Sequence, residues 1–141
     1  MQLSANRDWV DYARIVSGVL FIAAGIAKAF PQIEDIGQTL QQMAQANSGT
    51  VLAPLSTFLA TQYLAVNALV GVAFVASGLA FLTRRMLVLA ATGQLIMLAM
   101  FIVLLFRFQP SILVIDLPFM LAAAFVLRRA LVSRQEQVVS E

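Results

Sequence analysis

Apolar residues in this chain run in long blocks separated by short polar breaks, and the breaks define the predicted elements. The first block covers about residues 10–30 and stops at Pro31. Further blocks cover about 62–82, 86–106 and 112–127, closed by Arg84-Arg85, by the turn Arg107-Phe-Gln-Pro110 and by Arg128-Arg129. A helix needs roughly 20 apolar residues to cross a hydrocarbon core, and these blocks are of that order. Residues 31–61 have another rhythm. Ile33, Ile36, Leu40 and Met43 recur at three- and four-residue steps, with Glu34, Asp35, Gln38, Gln41 and Gln42 between them. That is an amphipathic helix, too polar to span and apolar enough to lie on a membrane or cap a bundle. Asn47-Ser48-Gly49 breaks it, and a second short helical piece is predicted from about Pro54 to Ala60. Residues 1–9, and those after Arg129, read as polar tails, with Trp9 and Tyr12 as interfacial aromatics. The predicted fold is all-α: an integral membrane four-helix bundle over residues 1–141, with a partly helical, amphipathic extracytoplasmic segment between spans one and two.

Inside the first block the polar positions line up. At about 100° per residue, Arg14, Ser17, Gly18, Phe21, Gly25 and Lys28 fall within roughly a 100° arc. Such a stripe turns toward other helices and leaves the apolar surface to lipid. Ile22 is placed on the opposite, lipid-facing side. In the second block Asn67, Gly71, Phe74 and Gly78 form a similar face, and GVLFIAAGIA at 18–27 returns as GVAFVASGLA at 71–80. An internal repeat is one reading. The favoured one is that two close-packed helices need the same small-residue spacing, which makes Gly18, Gly25, Asn67, Gly71 and Gly78 packing residues. The third block holds a single polar cluster, Thr92-Gly93-Gln94.

Composition sharpens this picture. The chain of 141 residues is 61% hydrophobic and 11% charged, against about 25% charged in a soluble domain. There is no Cys and no His, which excludes disulfides, thiol chemistry, iron–sulfur clusters, His-ligated haem and most zinc sites. The six Met are scattered and make no metal site by spacing. A net charge of +2 arises from helix-end arginines rather than a basic patch with aromatics, so nucleic acid is not a partner. Acids and an aromatic pair precede the first block, which is therefore read as an uncleaved anchor. Four spans put Arg7, Arg14, Arg84, Arg85, Arg128, Arg129 and Arg134 on one side, seven of the nine basic residues, and Lys28 and Arg107 on the other. The positive-inside rule then places both termini in the cytoplasm of a multi-pass protein of the bacterial inner membrane.

Candidate chemistry is confined to one place. Asp116 is the acid inside a predicted span, near its outer end, and Lys28 and Arg107 are the basic residues on that side. Pro118 cannot donate to the carbonyl of Val114 and leaves it free. Lys28, Arg107 and Asp116 thus outline an outer polar site. The favoured reading is an ion pair that fixes helix orientation, the next a head-group site for a quinone, lipid or small anion, and the weakest a protonation relay, since no chain of titratable groups crosses the membrane. At the other end Arg14, one turn after Asp11, is satisfied by that acid or by a lipid phosphate. No P-loop, no nucleophile with a base and no catalytic carboxylate pair is present in the sequence.

The pattern R-x-x-x-G-x-x-F-x-x-x-G-x-x-K, here Arg14, Gly18, Phe21, Gly25 and Lys28, resembles the first helix of the DoxX-like family of four-span bacterial membrane proteins. Gly71 to Arg84, GVAFVASGLAFLTR, is similar to the end of that family's second helix, and the likeness covers about residues 12–107. It implies a four-span fold and a redox-linked setting, since members include the membrane subunit of a thiosulfate:quinone oxidoreductase. The family often carries an acid four residues before the first glycine of helix two, where this chain has Asn67. The expected function is a non-catalytic accessory subunit of a bacterial membrane complex. Rival readings are a quinone-binding membrane subunit of an oxidoreductase, with quinone as its cofactor, and a small-molecule or lipid carrier. Expected partners are the lipid bilayer and a larger membrane-protein complex or a second copy of the chain.

Overall fold

The structure, a computed structural model, describes the backbone of residues 2–30, 32–33 and 35–139, and their side chains except those of residues 2–8, 10, 115 and 133–139. Pro31 and Glu34, read above as a helix stop and as part of a polar face, lie outside the described residues. The described residues form helices and turns and no strand: α1 (Gln2–Ala27), α2 (Ile36–Ala46), α3 (Ala53–Thr61), α4 (Tyr63–Thr83), α5 (Leu87–Leu105) and α6 (Ile112–Val139). Each apolar block is helical, and the breaks between α4, α5 and α6 fall where the polar residues placed them. Two helices, α4 of 21 residues and α5 of 19, are long and apolar enough to cross a membrane.

The ends of the chain differ from expectation. Residues 2–9 continue α1 rather than forming a tail, and α6 runs on past Arg129 to Val139. Both extensions are free of Gly and Pro and rich in residues that tolerate helix, so nothing local ends either helix at the edge of its apolar block. The amphipathic helix also starts later than its hydrophobic repeat. Asp35 is its N-cap, with Oδ1 accepting from the amide of Gln38 at 3.0 Å, so Ile33 is left exposed in the preceding turn.

α1 and α4 pack antiparallel with their glycines face to face. Gly18 lies opposite Gly78 and Gly25 opposite Gly71, so close that an added Cβ on Gly78 would sit 2.6 Å from the Gly18 carbonyl oxygen and one on Gly25 2.7 Å from that of Gly71. Arg14, Ser17, Gly18, Phe21 and Gly25 are all buried along this face of α1. Ile22 belongs to the same face, contrary to its outward placement: its Cγ1 is 2.6 Å from the Cβ position of Gly78. A residue four after Gly18 and three before Gly25 must share their stripe. At the centre Phe21, fully buried, meets Phe74 at 5.7 Å, Phe81 at 5.5 Å and Phe119 at 5.5 Å between ring centroids. These rings join α1, α4 and α6, and Val70, Ala91, Leu98 and Val126 complete the core.

Polar side chains in this bundle serve mainly to close helix ends. The last carbonyls of a helix lack intrahelical donors, and where water is excluded another group must supply them. Arg14 of α1 donates through Nη1 to the carbonyls of Phe81 and, at 3.2 Å, Leu82, in the last turn of α4. Asn67 of α4 donates from Nδ2 to the carbonyl of Lys28 at 2.8 Å, just past the end of α1. Asn47, fully buried after α2, donates from Nδ2 to Ser56 Oγ at 3.0 Å and to the carbonyl of Leu104 at 2.9 Å, near the end of α5. This last bond seats the α2–α3 hairpin on one end of the bundle, where Leu40 and Met43 pack against Leu104.

The first two of these bonds are related. Arg14 and Asn67 each stand four residues before the first glycine of the similar stretches, and Phe81 and Lys28 each stand three after the second. Each polar residue caps the other helix, and the likeness between the stretches is realised as an approximate two-fold relation about the Phe21–Phe74 contact.

Candidate functional site

The end of the bundle under the α2–α3 hairpin carries the predicted polar site. Asp116 sits in the second turn of α6 and is 7% exposed, with Oδ2 buried and without a hydrogen-bond partner among the described residues. Lys28, just past α1, is the cation whose charge acts on that carboxylate. Arg107 lies exposed in the turn between α5 and α6, and no ion pair of Arg107 is found among the described residues. The structure thus brings two of the three expected residues into one electrostatic neighbourhood and leaves the third at the surface. α6 continues through Pro118 without ending.

Lys28 and Asn67 also border a groove of about 550 Å³. Its floor is the close crossing of Gly25 and Gly71, and its far wall is formed by Val72, Ala76 and Leu79 of α4. Leu64, Ala68, Val72, Ala76 and Leu79 are exposed, so among the described residues no other element covers the groove. Glycine creates this feature as well as the helix contact, because side chains at the crossing would fill it.

At the opposite end Asp11 links two arginines. Its Oδ1 is 3.5 Å from Arg14 Nε and its Oδ2 is 2.5 Å from Arg84 Nη2. Arg84 closes α4 in the left-handed conformation with φ 58°, and Met86 repeats it with φ 53° before α5. Two non-glycine residues in that region cost about 1–2 kcal/mol each, and the Asp11 contact holds the first of them. Arg14 is 6% exposed, an arrangement suited to structure rather than chemistry.

One buried polar residue stood in the sequence only as part of a cluster. Gln94, in the middle of α5, is fully buried, and neither Nε2 nor Oε1 has a hydrogen-bond partner among the described residues. Its neighbours Thr92 and Gly93 are exposed, and a Cβ on Gly93 would meet nothing within 4 Å. Period 3.6 separates them: Gln94 shares the face of buried Ala91 and Leu98. Among the described residues no cluster of acids suited to a metal ion occurs.

This all-helical chain belongs to a family whose model, described as a family of unknown function (DUF6041), matches residues 12–141. A curated relative, oxidoreductase PigB of Serratia sp. (strain ATCC 39006), is 40% identical over 112 residues, which make up 79% of this chain and 17% of that protein. No solved structure matches. The family match overturns the expected membership of the DoxX-like family. The shared pattern was a run of small residues at helical spacing with basic ends. The Gly18–Gly78 and Gly25–Gly71 contacts show what that spacing serves here: the close approach of an antiparallel pair.

Proposed function

We propose that this chain is the membrane-embedded, non-catalytic module of a bacterial redox complex. The observation that carries this is the match to a segment that forms 17% of a protein named as an oxidoreductase, whose larger part lies outside the match. In this reading the helical module holds a catalytic partner at the inner membrane, and the partner does the chemistry. α1, α4, α5 and α6 cross the bilayer, the arginine-rich end lies in the cytoplasm with both termini, and the α2–α3 hairpin lies outside. Four features support that placement: two helices of spanning length, the basic residues gathered at one end, the outward Leu69, Val72, Leu89, Ile96, Val103 and Leu121, and the capping of helix ends by side chains.

Native purification tests this reading. A tagged chain extracted in mild detergent from its own host should bring down a larger oxidoreductase polypeptide in fixed ratio. Purification alone, or only as a homo-oligomer, would contradict the accessory role and favour a carrier.

A second reading has one observation in its favour, the buried Asp116 oxygen that has no hydrogen-bond partner among the described residues, beside the charge of Lys28. A quinone ring could accept from the Lys28 ammonium, and its reduced hydroxyl could donate to Asp116, which makes this end a head-group site. Quinone retained on extraction and lost in Asp116→Asn, with the fold unchanged, would establish it. Loss of stability without any change in bound quinone would assign Asp116 to orientation of α6 instead.

A further inference from the structure

We infer that the groove between α1 and α4 seats one phosphate-headed lipid, its acyl chain lying along α4 and its phosphate at Lys28. This rests on the membrane reading above. The groove has the polarity of an amphiphile. Its polar residues, Lys28 and Asn67, stand together at one end, and everything beyond them on α4, from Ala68 through Val72 and Ala76 to Leu79, is apolar. From Ala68 to Leu79 the wall extends about 16 Å at 1.5 Å per residue. That exceeds one leaflet of a core roughly 30 Å thick, so a full-length chain finds wall along its whole length.

The charge decides between occupants. A helix of a partner protein would fill an apolar trough without needing a cation at one end. A lipid phosphate needs a cation at the level of the head groups, where α1 ends. Lysine meets phosphate as a point charge, and an ammonium has three N–H donors, so its field on Asp116 and a phosphate contact are compatible. Asn67 is turned away from the occupant's chemistry, because its Nδ2 is committed to the Lys28 carbonyl and its Oδ1 is buried. That bond fixes the backbone from which the Lys28 side chain rises, while the Lys28 stem packs over Gly71, with Cβ 3.4 Å from the position of an added Cβ there. The cation is therefore held at the groove's mouth rather than swinging free.

The test uses the full chain in nanodiscs of equal parts phosphatidylethanolamine and phosphatidylglycerol doped with a small fraction of ubiquinone, read by native mass spectrometry on release. The wild type should carry one phospholipid. Ala76→Phe, which adds bulk at an exposed groove position, should abolish the adduct, and Lys28→Gln, which keeps the stem but not the charge, should lower it severalfold. A quinone adduct that Ala76→Phe removes would overturn the phosphate assignment. Absence of any adduct, or phospholipid retention indifferent to both substitutions, would overturn the site. Carbonate-washed membranes are assayed first, and loss of the wild-type chain from them would defeat the membrane reading itself.

Discussion

Replacing Gly78 by alanine adds one methyl group where two helices touch through their backbones. The new Cβ would lie 2.6 Å from the Gly18 oxygen, 2.6 Å from Ile22 Cγ1 and 3.0 Å from the Ile22 nitrogen, all inside the ~3.5–4.0 Å at which non-bonded atoms rest. Two of those atoms are backbone and cannot rotate aside, so α1 and α4 must separate. Overpacking of this kind costs about 1–3 kcal/mol. Against it stands the gain of about 1 kcal/mol for alanine over glycine within a helix. Because rigid atoms meet the methyl, the net expectation is a loss of about 1–2 kcal/mol. Gly93 supplies the control: its Cβ would meet nothing within 4 Å, so Gly93→Ala should gain about 1 kcal/mol. Reversible unfolding in mixed micelles, with rising dodecyl sulfate fraction and helicity followed by circular dichroism, measures both. Gly78→Ala unfolding at or beyond the wild-type midpoint, or Gly93→Ala falling with it, would refute the packing argument.

Four further outcomes rest on the capping bonds and the buried amide. Arg14→Gln removes charged donors from the Phe81 and Leu82 carbonyls and should cost about 1.5–3 kcal/mol in the same assay. Arg14→Lys should recover only part, since the compact ammonium lacks the planar fork that lets the guanidinium span two carbonyls and Asp11. Asn47→Ala frees the Leu104 carbonyl and Ser56; amide hydrogen exchange should rise across residues 36–61 while the α1–α4 pair stays protected, and a uniform rise would contradict the local role. Gln94→Leu exchanges an amide with no hydrogen-bond partner among the described residues for an apolar group of similar size and should raise stability by about 1 kcal/mol or more. A drop instead would mean that Gln94 holds a water or a ligand.

Helix positions were legible in the chain because their stops are local: Arg84-Arg85 and the Arg107–Pro110 turn interrupt apolar runs that have no other ending. The ends of α1 and α6 were not, since apolarity ceases there while helix propensity does not. Small residues at seven-residue spacing announced a packed face, yet one strand of letters could not say that Gly18 meets Gly78 rather than its counterpart Gly71. Ile22 was misplaced although the helical angle puts it between the two glycines. Arg14 and Asn47 were hidden for another reason. Their partners are carbonyls of helices distant in the chain, and backbone acceptors leave no mark on sequence. Asp116 and Lys28 could be placed at one end from charge and depth alone, while Arg107, equally close in that reckoning, lies in an exposed turn.

Sidedness is the most direct measurement on the account as a whole, and a chain without cysteine suits it. Ser48→Cys lies in the exposed turn after α2, and Val132→Cys is an exposed position in the distal part of α6. In intact spheroplasts an impermeant maleimide should label the first and reach the second only after the membrane is opened. Labelling of both from the same side, or recovery of either variant in the soluble fraction, would contradict four crossing helices with the hairpin outside.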